Sequence, residues 1–266
     1  MTSIPGRSYP LIASKDNPRI KHVRGLLEQA SQRRKSAQTV LEGVHLLDAC
    51  RQAGIRPESI YLAESAQTHP EVNDLLDHWP EVQCTLLTDS LYKGLRTLGQ
   101  GIDIMAVIST PTATLPEQIS TDVLILEDVQ DSGNVGTLLR TAAAAGIKQI
   151  ICTSGTASVW SPRVLRAGMG AQFSLTVIEH ADIADVIARL QLPLYATSSH
   201  ATDELYDLTL SGPVAWLMGN EGQGASSQAL SHAHPIAIPQ PGGQESLNVA
   251  IAGAICMFEM VRQRRG

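Results

Sequence analysis

Ile238-Pro239-Gln240-Pro241-Gly242-Gly243-Gln244-Glu245-Ser246-Leu247-Asn248-Val249 sets a proline- and glycine-rich loop directly before a polar box, Glu-Ser-Leu-Asn, and the box opens an apolar run. The run predicts a helix from about Leu247 to Arg264, roughly 27 Å long. Its spine is small, with Ala250, Ala252, Gly253 and Ala254 in close succession. Small residues let other backbone approach closely, although glycine lowers helix propensity. Polar groups at such an N-terminus sit among outward-pointing backbone N–H groups, where a polar ligand is readily held. Ser246 and Asn248 also read as plain N-terminal caps.

Two other blocks have the same design. Leu124-Ile125-Leu126-Glu127-Asp128-Val129-Gln130-Asp131-Ser132-Gly133-Asn134-Val135-Gly136-Thr137-Leu138-Leu139-Arg140 is a short apolar strand that ends in acidic and small residues. It then feeds an alanine-rich helix that stops near Gly146. Gly136 and Arg140 are four apart and share a helix face. Val214-Ala215-Trp216-Leu217-Met218-Gly219-Asn220-Glu221-Gly222-Gln223-Gly224 runs a buried-type strand into a glycine-rich turn carrying one carboxylate. Glycines there permit close approach of a ligand to the main chain.

In this order, the three blocks resemble the SpoU family of RNA ribose methyltransferases, of the knotted class called SPOUT. Asn134, Gly136 and Arg140 match its Asn-x-Gly-x-x-x-Arg motif. Gly219, Asn220, Glu221, Gly222 and Gly224 match Gly-Asn-Glu-Gly-x-Gly. Ile238 and Pro239, then Ser246, Leu247, Asn248 and Val249, match Ile-Pro followed by Ser-Leu-Asn-Val. The resemblance covers residues 121–264, and the earlier half more loosely. It implies a trefoil knot in the C-terminal domain, S-adenosyl-L-methionine as cofactor, and a symmetric homodimer. It also implies 2′-O-ribose methylation of structured RNA, with ribosomal RNA favoured over transfer RNA.

Site roles follow residue by residue from that resemblance. Asn134, Arg140, Glu221, Ser246 and Asn248 are the expected catalytic set. Thr197, Gly219, Ile238 and Leu247 are expected to hold the cofactor, in the crevice beyond the carboxyl ends of parallel strands. Arginine, with a pKa of about 12.5 or higher, is a poor free base. Arg140 is therefore expected to grip an RNA phosphate and orient the 2′-hydroxyl, with a surface bridge to Asp131 or Glu127 as the structural alternative. Which group accepts the proton is left open among this set. Glu221 also suits a helix cap near Ser226. Arg166 suits a phosphate contact or a structural role equally.

Charge adds the RNA surface. The net charge is −6, yet residues 1–35 hold eight basic side chains against Asp16 and Glu28, a local +6 on a body carrying −12. A basic segment of this kind neutralises phosphates locally; a solvated helix face is the simpler account. Lys15, Arg19, Lys21, Arg33, Arg34 and Lys35 are the expected RNA contacts. Asn17-Pro18-Arg19-Ile20-Lys21 and Leu41-Glu42-Gly43 resemble the start of one family subgroup.

Organisation is α/β throughout. The expected layout is a small α/β RNA-binding domain over residues 12–108 and a Ser/Thr/Pro linker over 109–121. A methyltransferase domain of strands alternating with helices follows over 122–264, implying a mostly parallel sheet. At 43% apolar and 17% charged residues, the chain is a folded globular one. No apolar run reaches the roughly 18 residues of a membrane span, and Met1 to Leu11 lacks a secretory h-region. Cys50, Cys84, Cys152 and Cys256 are scattered, as expected of reduced thiols in the cytoplasm. His232-x-His234 has no nearby third ligand, so no metal is expected. Ser199 and His200 lack the Gly-x-Ser-x-Gly elbow of a hydrolase. Gly219-x-x-Gly222-x-Gly224 has the wrong spacing for a dinucleotide fingerprint, which disfavours an oxidoreductase. A non-catalytic RNA-binding protein is the other alternative. Trp160, Trp216 and Phe258 read as core.

Overall fold

Runs of β-branched residues and leucine seed two sheets, one in each of two compact units. The computed structural model describes residues 9–97, 99–198, 201–243 and 246–265. The first unit is Met1–Thr110 with Trp160–Phe173; the second is Pro111–Val159 with Ser174–Gly266.

The first unit carries β1 (Leu11–Ile12), α1 (Pro18–Glu28), α2 (Ala30–Ser36), β2 (Gln38–Glu42), α3 (Val44–Gln52), β3 (Ser59–Ala63), α4 (Pro70–His78), β4 (Gln83–Leu87), α5 (Asp89–Lys93) and β5 (Ile104–Ser109). Its sheet order is β1-β4-β3-β5-β2, with β5 antiparallel to both neighbours. Val40, Leu41, Ile60, Leu62 and Ile108 are fully buried in it. Asn17 starts α1 by accepting from the Arg19 N–H, with Pro18 pre-set for the first turn. The helical stretch that follows Asn17 is broken at Gln29, whose backbone is extended. Arg33 then reaches back to the Leu26 carbonyl at 2.8 Å, satisfying an acceptor left open at the end of α1.

Trp160–Phe173, which sequence order places inside the 122–264 domain, packs with the first unit and contains α7 (Pro162–Gly168). Thr39 Oγ1 donates to the Trp160 carbonyl at 2.6 Å. Arg166 donates to the Thr97 carbonyl and hydroxyl at 3.1 and 2.9 Å. Of the two uses considered for Arg166, the structural one is the one seen.

The second unit contains β6 (Val123–Leu126), α6 (Ser132–Ala144), β7 (Gln149–Thr153), β8 (Thr176–Ala181), α8 (Ile183–Arg189), β9 (Leu194–Thr197), β10 (Ala215–Met218), α9 (Ser227–Leu230), β11 (His234–Ile236) and α10 (Val249–Arg264). The sheet is parallel throughout, in the order β11-β9-β10-β6-β7-β8. Strand order reverses at the β10–β6 pair, so the segments after those two strands flank the switch point where α/β sheets bind ligands. β11, His234–Ile236, ends two residues before Ile238. α10 packs on α6 and β10, and Gly253 is the reason it fits. A Cβ there would lie 2.5 Å from Leu138 Cδ2 and 3.3 Å from Met218 Sδ. Trp160 and Trp216 are core, but Phe258 is not: it is 49% exposed on the outer face of α10.

Candidate active site

The loop after β6 and the turn after β10 are built as fixed main-chain supports. Glu127 is buried and its carboxylate accepts from the Ser226 N–H at 2.8 Å and hydroxyl at 2.6 Å. Ser226 Oγ in turn caps α9 by accepting from the Ala229 N–H. Asp128 takes the left-handed conformation, φ 58°, and its N–H donates to Thr153 Oγ1. Asn220 Nδ2 donates to the Asp128 carbonyl at 3.0 Å, while Asn220 Oδ1 accepts from the Gly222 and Gln223 N–H groups. Asn220 and Gly224 exchange main-chain bonds of 3.0 and 2.8 Å across the turn.

Gly219 has a different reason from the expected one. A Cβ there would lie 2.2 Å from the Ala225 nitrogen and 2.3 Å from the Gly224 carbonyl carbon. The turn's own backbone fills the space that sequence reasoning reserved for a ligand.

Polar side chains from all three motifs meet in one hydrogen-bonded chain. Asn248 Oδ1 caps α10 by accepting from the Ala250 and Ile251 N–H groups at 2.9 and 3.2 Å. Its Nδ2 donates to Asn134 Oδ1 at 2.9 Å. Asn134 Nδ2 donates to Glu221 Oε1 at 3.1 Å. Glu221 also accepts from the Asp131 and Gln130 N–H groups at 3.0 and 3.1 Å. Partial burial pushes the Glu221 carboxyl up. Bonds from Asn134 and the Asp131 and Gln130 main chain outweigh that and hold it below the usual carboxylate range. An acid so held is a fixed anion at the start of α6 and a weaker base than a free carboxylate. The cap near Ser226 considered from sequence is not its role.

Beside this chain lies a cavity of about 430 Å³. Thr197, Gly219, Ile238 and Leu247 all line it, as does Ser246. Among the lining residues that sequence reasoning missed are Leu230 and Gln240. Leu230 is an exposed large apolar residue, 39% accessible, which was the available signal. Gln240 Oε1 is buried with no hydrogen-bond partner.

Arg140 stands apart. Six residues beyond Asn134 on α6, it lies about 9 Å further along the helix axis. It is exposed and does not line the cavity. Among the described residues it has no ion pair or hydrogen-bond partner: Asp131 caps α6 and Glu127 holds Ser226. The bridges considered from sequence are absent.

The basic surface is only partly as expected. Lys15, Arg19, Lys21, Arg34 and Lys35 are exposed, with Lys21 beside Asp16 at 3.2 Å. Arg33 is half-buried and donates to the α1 carbonyls through Nη1, so at least part of its guanidinium has a structural use. The first unit also holds a cavity of about 540 Å³ between α3 and α4. Its Arg51 is engaged by Asp48 and Asp74, and no motif residue reaches it. His234 bonds Asp203 at 2.7 Å, and no three ligating side chains gather among the described residues. Ser199, His200, Gln244 and Glu245 lie outside the described residues.

Comparison with known proteins matches two family models along the chain. Residues 17–107 match the MRM3-like substrate binding domain, and residues 122–258 match the SpoU rRNA Methylase family. The chain is 32% identical to an uncharacterised tRNA/rRNA methyltransferase of Synechocystis sp., over 96% of this chain and 97% of that one. It is 28% identical to the 23S rRNA (guanosine(2553)-2′-O)-methyltransferase RlmP of Bacillus subtilis, over 94% and 98%. Among solved structures, an AdoMet-bound rRNA methyltransferase from Sinorhizobium meliloti superposes with a TM-score of 0.83 at 25% identity, over 96% and 98% of the two chains. With the three motifs fastened to one another around a cavity, and with matches spanning nearly the whole chain, this protein belongs to the SpoU rRNA methylase family.

Proposed function

We propose that this protein is an S-adenosylmethionine-dependent ribose 2′-O-methyltransferase acting on ribosomal RNA. The observation that carries the reading is the hydrogen-bonded chain Glu221–Asn134–Asn248 beside a cavity lined by Thr197, Gly219, Ile238 and Leu247. The cavity suits the cofactor. Its size falls within the roughly 300–1,000 Å³ of small-molecule sites. Leu230, Ile238, Leu247 and Ala252 offer an apolar wall, and the Gly222–Gly224 turn offers main chain. Gln240 Oε1 is a buried acceptor still without a donor. When bound, the cofactor supplies a methyl group on a sulfonium, an intrinsically good leaving group.

The protein's own contribution is alignment. Glu221, Asn134 and Asn248 lock the three loops so that the cavity and the first turn of α6 keep one geometry. Arg140, unpaired and solvent-facing, is free to take an RNA phosphate with its fork of donors and so orient the ribose hydroxyl. Lys15, Arg19, Lys21, Arg34 and Lys35 supply sequence-independent attraction for the RNA backbone.

The resemblance to the knotted class also supports a trefoil knot here. Strand β11 lies at the edge of the sheet, whereas Asn248, further along the chain, bonds Asn134 beyond β6, in the middle of the sheet. A homodimer is supported by α10, where Ile251 and Phe258, 52% and 49% exposed, stand two turns apart on one face. Four buried cysteines, none of them in a disulfide, fit a reducing cytoplasm. No helix of the described residues is long and apolar enough to cross a membrane.

The test is transfer of labelled methyl to ribosomal and transfer RNA from a strain lacking the protein, followed by mapping of the 2′-O-methylated nucleotide. One site in ribosomal RNA is expected. Methylation confined to transfer RNA would correct the substrate, and RNA binding with no transfer would leave a non-catalytic RNA-binding protein.

A further inference from the structure

Gln240 sits on a wall of the 430 Å³ cavity, two residues beyond Ile238. Pro239 and Pro241 flank it, and proline fixes its own φ and restricts the residue before it. Its carbonyl accepts from the Gly243 N–H at 3.0 Å, closing a turn. The backbone of Gln240 is therefore preset, while the terminal torsion of its amide stays soft. Most buried polar atoms find a partner; Gln240 Oε1 is one that does not. Two polar side chains that share this lining, Asn220 and Glu221, are committed elsewhere. Asn220 Oδ1 is taken by the Gly222 and Gln223 N–H groups, and Glu221 by Asn134 and the α6 N-terminus. The Gln240 acceptor lies in the same lining as Ile238 and Leu247, where the wall is apolar and suits a flat ring.

We infer that Gln240 is a specificity residue of the cofactor site, its side-chain oxygen accepting a hydrogen bond from the exocyclic amine of the cofactor's adenine. This rests on the reading that the cavity binds S-adenosylmethionine. A base with the amine gives the stranded oxygen a donor. A base without it leaves the oxygen buried and unpaired, the costly case for a polar group. The residue acts on recognition and takes no part in the transfer step.

Calorimetric titration of the full-length protein with S-adenosylhomocysteine, and with the analogue whose purine lacks the 6-amino group, tests it. The wild-type protein is expected to favour the amino form by on the order of ten- to hundredfold. Gln240→Leu should bind both forms with similar affinity, and Gln240→Glu, still an acceptor, should keep the preference. Melting curves establish that each variant is folded; should the leucine variant fail to fold, the wild-type and Gln240→Glu comparisons decide. Equal binding of the two ligands by the wild-type protein, or an undiminished preference in folded Gln240→Leu, overturns the assignment. Wild-type protein that binds neither ligand removes the cofactor reading itself, and the role of Gln240 with it.

Discussion

At Gly219 the constraint is protein against protein, because a Cβ would meet the Ala225 nitrogen at 2.2 Å. Gly219→Ala should cost about 1–3 kcal/mol, the range of overpacking. It should also weaken cofactor binding by shifting the Asn220–Gly224 turn; urea denaturation and calorimetry on the same variant check both. Loss of binding with unchanged stability would point to direct ligand contact instead. Arg140 should behave in the opposite way. It is exposed and unpaired, so Arg140→Ala should change stability by no more than about 0.5 kcal/mol. Cofactor affinity should hold, while single-turnover methyl transfer falls on the order of a hundredfold or more, as when a donor to developing charge is removed. Near-normal transfer in that variant would refute its catalytic role. These site residues were legible in the sequence through their motifs. Their bonding was not, since Asn134 lies 87 residues from Glu221 and 114 from Asn248. No local pattern announces partners that distant.

Elements were easier to read than their partners. β3, β6, β7 and β9 are short apolar runs whose ends coincide with the strands seen, because burial on both faces leaves little else for such runs to do. β8 escaped notice: it is an edge strand with Glu179 and His180 in it, a register shift against β7, and His180 at φ 61°. The α1–α2 break escaped too: no proline or glycine marks Gln29, and Arg33 spans the break by reaching back to the Leu26 carbonyl. α10 offers a test of its own. Bonds from Arg262 hold the buried Glu259 carboxyl down, burial opposes, and Gln263 with the Arg262 charge adds to the lowering, from 4.5 to about 2. A depressed acid contributes its full stability above 4.5 and loses it as the pH falls towards about 2. Glu259→Gln should therefore be less stable than wild type at pH 7, and the gap should narrow steadily below about pH 4.5. Urea midpoints at pH 7, 4 and 3 measure it; a gap independent of pH would show that the ion pair is not its source.

For the whole molecule, charge and assembly give separate readouts. Neutralising Arg34 and Lys35 should reduce RNA affinity and flatten its salt dependence, by up to about 0.7–0.9 log unit for each phosphate no longer neutralised. Arg33→Ala should instead lower the melting temperature, because its guanidinium serves the Leu26 carbonyl. Filter binding over a salt series separates the two outcomes. The outer face of α10 gives the assembly test. Phe258→Glu with Ile251→Asp should turn a dimer into a folded monomer in light scattering, since both residues already face solvent within the protomer. A wild-type monomer at catalytic concentration would show that this stripe has another purpose. The sequence indicated an apolar helix; which side of it the protomer leaves bare depends on α6 and β10, and so required the packed structure.

The link from Asn248 to Asn134 also makes activity a matter of timing. Contacts between residues so far apart in the chain form late, since the loop between them must be closed first. At about 5–20 residues per second of synthesis, a growing chain that has already completed the Gly219–Gly224 turn waits seconds for its third partner. Until then the start of α6 lacks the amide that ties it to α10, and the catalytic groups have no common frame. An RNA methyltransferase built this way is expected to become competent only once its own chain has closed on itself.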